Sequence, residues 1–230
     1  FSEYAAEHLR LSGLKMDGIL RLACLFSNSS LVSLEWNGYE IREGAALYGM
    51  FSGCGSLRSL SLNGSMGAVA HIDNLFSGCA SLEALDLSWI NSEALQSVDN
   101  LFSGCSSLKS IDLSGMDFRN VSWLRGMLRG CSALESVDLS GLDLSKASDM
   151  SYLFSGCSAL KSVGLSGLDF GRVSDMSYLF DGCGSLVSLN LDGIALRAEG
   201  IALEGMFRGC SALESLNLDA FGEVPVLSIR

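Results

Sequence analysis

Residues 131–157 read CSALESVDLSGLDLSKASDMSYLFSGC, and this stretch runs from the cysteine of one copy of a phrase to the cysteine of the next. Leu-Phe-Ser-Gly-Cys-x-x-Leu recurs with little change, and its cysteines fall at Cys54, Cys79, Cys105, Cys131, Cys157, Cys183 and Cys210. Successive differences are 25, 26, 26, 26, 26 and 27, a period that a single closed core with irregular connections does not produce. A worn copy, Leu25-Phe26-Ser27-Asn28-Ser29-Ser30-Leu31, precedes the series and lacks the cysteine. Cys24 lies outside the series and aligns with Asn74, Asn100 and Tyr152.

Within 131–157 the apolar period changes. Leu134-Glu135-Ser136-Val137-Asp138-Leu139 alternates as a half-buried strand does. Ala147, Met150, Leu153 and Phe154 then recur at helical spacing, which predicts a short helix with Ser148 at its start. Gly156 and its equivalents, with Asn28 in the worn copy, sit where a residue of positive φ would end that helix. One strand and one short helix cannot bury their own apolar face, so the units must stack. L-x-x-L-x-L at this period is the leucine-rich-repeat pattern. The expected fold is an α/β solenoid of about eight strand–helix units, with a parallel sheet on the concave face and helices on the convex face. The whole chain, 1–230, reads as a single domain. Residues 1–28 are expected to form a helical cap with Leu14, Ile19, Leu22 and Leu25 as its stripe. Residues 29–220 hold the repeats, and 221–230, with the single proline Pro225, a C-terminal cap.

The run Val173-Ser174-Asp175-Met176-Ser177-Tyr178-Leu179-Phe180-Asp181-Gly182-Cys183, followed by Leu186-Val187-Ser188-Leu189-Asn190-Leu191, resembles the BspA-like leucine-rich repeats of bacterial surface proteins and lipoproteins. The match covers about residues 50–219 and departs from the family pattern after the strand, where Asp143-Leu144-Ser145 and Asp169-Phe170-Gly171 replace Asp-Thr-Ser. The resemblance implies a non-enzymatic, secreted or cell-surface module of adhesion type and no particular ligand. A structural spacer that displays another domain on the envelope is the alternative.

Composition narrows the partners. Of 230 residues, 15 are Lys or Arg and 26 are Asp or Glu, a net charge of −11, so a polyanion such as nucleic acid is repelled. No stretch approaches the roughly 18 apolar residues of a membrane helix. Phe1 in place of Met, with no leader after it, suggests a mature protein or an excised domain. No HExxH, GxSxG or P-loop occurs, and the two histidines, His8 and His71, stand apart, so neither enzyme, cofactor nor metal is expected. The eight cysteines read as buried thiols packing as small hydrophobes, because seven identical slots cannot all pair; four disulfides are the competing reading, and Cys24 alone is a candidate reactive thiol.

Departures from the internal consensus supply the candidate site, on the concave face and its rim, of a monomeric module that binds a host or matrix protein or a glycan. Arg58, Glu83, Lys109, Glu135 and Lys161 alternate in sign along one column, which reads as structural. In the next solvent-facing slot stand Glu35, Asp86, Asp112, Asp138, Asn190 and Asn217, with Ser61 and Gly164 between them. Like charges one strand apart repel by roughly 1 kcal/mol in water. The Asp stripe is therefore either a hydrated strand habit or an acidic surface for a cation or a basic partner. Trp89 stands where other units have Gly, and Trp123 where they have Asp149 and Asp175. Each is a rim hot spot or, for Trp89, a plug in the glycine-less turn of its own unit.

Overall fold

A computed structural model describes residues 6–13, 21–191, 194 and 200–216. The chain winds as a solenoid of about eight turns whose strands are all parallel. β1 (His8–Ser12), β2 (Ser33–Ile41) and β3 (Ser59–Met66) form one sheet. β4 (Ser136–Asp138) pairs with β5 (Ser162–Gly164), and β6 (Ser188–Leu189) with β7 (Ser215–Leu216). Register follows the sequence period: Leu34 pairs with Leu60, Val137 with Val163 and Leu189 with Leu216. Residues 84–86 and 110–112 fill the same slot without forming a ladder. A second line of parallel bridges runs His71, Ser97, Trp123, Asp149, Asp175, Ala202.

No helix occurs among the described residues, which corrects the helical half of each unit. The stripe Ala147, Met150, Leu153 and Phe154 is buried as expected, but the backbone beneath it is a chain of tight turns. Its N–H groups alternate in direction. Met150, Tyr152, Phe154 and Gly156 donate to Asp175, Ser177, Leu179 and Asp181 of the next turn, at 2.6–2.9 Å. Leu153, Ser155 and Cys157 donate within their own turn, to Met150, Tyr152 and Phe154, at 3.0–3.2 Å. An α-helix needs every N–H for its own i−4 carbonyl, so this sharing excludes it. Two left-handed residues per turn redirect the chain: Tyr152 at φ +58° and Gly156 at +78° in this turn. The first of these columns, Cys24, Gly49, Asn74, Asn100, Gly126, Tyr152, Tyr178 and Gly205, lies at φ +53° to +59° throughout. Ser148 caps no helix; its hydroxyl donates to Ser122 O of the preceding turn at 3.0 Å. Likewise the helix read into 1–28 is absent where that segment is described, since His8–Ser12 is a strand and 23–28 are turns. The cap read into 221–230 and the residue Asn217 lie outside the described residues.

The interior is a set of columns. Phe26, Phe51, Phe76 and Phe102 stack at 5.5–5.7 Å with rings within 8° of parallel. Leu128 interrupts them, and Phe154, Phe180 and Phe207 resume at 5.3–5.8 Å. Beside them runs the thiol column. Cys54, Cys79, Cys105, Cys131, Cys157 and Cys183 are fully buried and unpaired, Cys210 is partly buried, and Cys24 is exposed. Each thiol of the column donates to a carbonyl of the preceding turn, Cys79 to Phe51 O and Cys105 to Phe76 O at 3.2 Å. Burial pushes the Cys105 and Cys157 thiols up to about 12, so these groups stay neutral and inert.

Candidate functional site

The strand face places the sequence-derived candidates one turn apart, and the local hydrogen bonds show what each does. Glu35 meets its register partner Arg10 at 3.2 Å and accepts from the Asn37 amide at 2.8 Å. Asp86, Asp112 and Asp138 each accept, through Oδ1, the backbone N–H two residues on, from Ser88, Ser114 and Ser140, at 2.8–2.9 Å. Ser140 adds its hydroxyl at 2.7 Å. These are Asx turns that tie the strand end to the following bend. The Ser88 N–H for Asp86, and the Ser114 and Ser140 side chains and N–H groups for Asp112 and Asp138, hold all three carboxyls below the usual range. Hydrogen bonding to the charged form thus outweighs the mutual repulsion expected of the stripe. Among the described residues no group of three or more His, Cys, Asp or Glu is placed to hold a metal ion, the stripe included. Asn190 is exposed on the same face.

The two tryptophans separate. Trp89 turns inward, half-buried, with its ring edge-on to Phe76 at 6.4 Å and 88°, and its Nε1 is buried. It fills the space of a glycine-less turn and is no rim residue. Trp123 stands 45% exposed on the second bridge line, between Ser97 and Asp149. The alternating charges pair two by two, Glu83 with Lys109 at 2.6 Å and Glu135 with Lys161 at 2.8 Å, so the column is a series of isolated exposed pairs.

A second exposed surface, over the tight turns, carries features the strand-based reading missed. Asp73 accepts the Ser97 hydroxyl and, at 3.0 Å, the Asp99 N–H; Asp99 accepts the Arg125 N–H at 2.8 Å. Burial, and then the Asp73 and Asp149 charges, raise the Asp99 carboxyl to about 6 against the lowering effect of Arg125. His71 lies 3.6 Å from Asp73, at the edge of a groove of about 380 Å³ that includes Gly44, Tyr48 and Ala70. Further along, Tyr152 and Tyr178 stack at 4.9 Å with Arg125, Arg129 and Arg208 against their rings. The signal for this patch was present as departures from consensus. Tyr152 and Tyr178 stand in a column otherwise Cys, Gly or Asn, and Arg129 and Arg208 in one where Ser52, Ser77, Ser103 and Ser155 set the pattern.

Asp99 gives a pH prediction. Its folded pKa is raised, so the stability it contributes is present below the unfolded value near 3.9 and is lost as pH rises through about 6. Asp99→Asn keeps the acceptor for Arg125 N–H without the charge. The variant should melt higher than the parent at pH 7 and show a flatter melting profile between pH 4.5 and 6.5. Parallel profiles across that window would contradict the assignment.

One protein family, described as "Mycoplasma protein of unknown function, DUF285", has a model that matches residues 45–164, 70–193 and 96–221, each match displaced by one turn from the last. No curated protein matches the chain. Among solved structures, a T. pallidum leucine-rich repeat protein is similar at 21% identity, covering 90% of this chain and 83% of its own, with a TM-score of 0.48. A Bacteroides ovatus leucine-rich repeat protein is similar at 24% identity over 86% of this chain and 57% of its own, TM-score 0.49. An Eubacterium ventriosum counterpart has 15% identity over 85% and 62%, TM-score 0.40. This chain thus spans under two thirds of the length of the latter two.

Proposed function

The chain belongs to the family described as "Mycoplasma protein of unknown function, DUF285", and on that premise we propose that it is a non-enzymatic interaction module of BspA-like type. It acts as a monomer, secreted or displayed at a cell surface, and holds a protein or glycan partner on its exposed turns. One observation carries this reading: the buried Phe and Cys columns keep nearly one residue type, while a column that reaches the surface over the tight turns changes from turn to turn. That column runs Tyr48, Asp73, Asp99, Arg125, Ser151, Ser177, Glu204, exposed at Tyr48, Arg125 and Glu204 and half-buried or buried between them. A constant backbone with variable outward side chains supplies an extended binding surface. The local turn-forming role of Asp86, Asp112 and Asp138 favours a structural over a cation-binding reading of the stripe.

The test has two arms. Purified chain is titrated onto immobilised extracellular-matrix proteins and glycans, and intact cells of the producing organism are treated with protease. Saturable binding to at least one panel member, and cleavage on intact cells, are expected. Cleavage on intact cells without binding to any panel member would favour the spacer reading, and protection on intact cells would overturn the surface placement.

A further inference from the structure

Along the surface over the tight turns, one patch combines aromatic rings with two arginines that form no ion pair among the described residues. Tyr152 and Tyr178 lie 4.9 Å apart at 10°, so each ring covers one face of the other. The far side of Tyr178 rests on Gly205, where a Cβ would lie 2.5 Å from the ring. The far side of Tyr152 carries the guanidinium carbons of Arg125 at 5.7 Å and Arg129 at 5.2 Å from its centroid. Neighbouring acids are already engaged. Asp181 binds Arg208 through two 2.8 Å bonds, Glu204 accepts the Tyr178 hydroxyl at 2.6 Å, and Asp149 accepts from Ser151. Arg125 and Arg129 are exposed and form no ion pair among the described residues. Trp123, 45% exposed, stands two residues before Arg125.

We propose that this patch binds an acidic segment of a partner protein, Arg125 and Arg129 taking its carboxylates and Trp123 an adjoining apolar side chain. The proposal deepens the interaction-module reading and rests on it. Charge complementarity selects the occupant: two adjacent guanidiniums without carboxylates match paired acidic side chains through bidentate bonds. A sugar would need an open aromatic face to stack on; the tyrosine faces are covered, and in this patch the exposed Trp123 alone offers one, set apart from the two arginines. Guanidiniums laid on a ring are also partly ordered beforehand, which lowers the entropy lost on binding. The chain's net charge of −11 acts against this, but screening beyond about 8 Å at physiological salt limits the effect of the distant charges.

The test uses a fluorescein-labelled decapeptide of alternating Glu and Gly at 0.15 M salt, followed by anisotropy. Saturable binding to the full chain is expected, weakened about tenfold or more in Arg125→Gln/Arg129→Gln. Lys161→Gln, which removes one cation from the strand face, should leave it unchanged. Circular dichroism melts confirm that the variants fold, as both arginines are exposed. Absence of saturable binding, equal weakening by Lys161→Gln, or tighter binding of a sulfated oligosaccharide through the same arginines would overturn the proposal. If the peptide fails while a matrix-panel member still binds, the site is wrong and the interaction-module reading stands.

Discussion

Phe76→Ala should lower stability by about 3–5 kcal/mol, the usual cost of emptying a fully buried phenylalanine site. Phe76 is fully buried, stacks on Phe51 and Phe102 at 5.5 and 5.7 Å, and receives the Trp89 ring edge-on. Three aromatic partners are lost together, each of which adds about 0.5–1.5 kcal/mol beyond area burial. Because turns contact only their neighbours, the gap also uncouples the turns on either side. Urea unfolding of the variant should therefore broaden as well as shift. Phe76→Leu is the matched control, since Leu128 already occupies this column. Its cost should stay below about half that of alanine. A leucine variant as stable as the parent would show that the ring stack contributes nothing beyond its volume.

Gly156→Val is expected to cost at least about 2 kcal/mol. Gly156 lies at φ +78°, which a β-branched residue resists, and a Cβ there would stand 3.4 Å from the Gly130 Cα of the preceding turn. Asn28 holds the equivalent place at φ +54°, so Gly156→Asn should cost less than half as much. Thiol labelling adds a second readout. In the parent chain Cys24 is the exposed thiol, and the turn that begins at Gly156 shields Cys157 and Cys131. Valine should make those two thiols label faster than in the parent, alongside a lower melting temperature. An unchanged melting temperature together with parental labelling would rule out a strained left-handed position.

Which parts of the fold were legible follows from what a side-chain pattern encodes. Burial was legible: the columns headed by Phe26 and Cys54 are interior, the Leu34 column is buried or partly buried, and the L-x-x-L-x-L slot is extended where β4 and β5 form. Backbone shape over 147–157 was not, because helical spacing reports which side chains face inward and not where the N–H groups donate. The missing clue lay in a mixed column. Asn74, Asn100 and Cys24 align with Gly49 and Gly126, and an Asn–Gly mixture marks positive φ; two such positions per turn forbid a helix. For the candidate site, the acidic stripe was read as a surface feature because its Asx turns depend on the following bend. Trp89 was ambiguous until Phe76 was seen beneath it. The arginine–tyrosine patch escaped because the two residue types lie about 26 positions apart in sequence and meet only across turns.

The alternation of N–H groups between own turn and next turn makes the solenoid modular at the level of the gene. Each turn offers its predecessor the same row of carbonyls that it takes from its successor. Recombination between two copies of the repeat that removes or adds about 26 codons therefore yields a chain whose every column still closes. Loss of a few codons would instead throw Phe, Gly and Cys out of line from that point on. Copy number can then drift without loss of folding, while each change brings new exposed side chains together across the junction. A lineage carrying such a gene can vary the length and face of its product by unequal exchange, with no point mutation in the core.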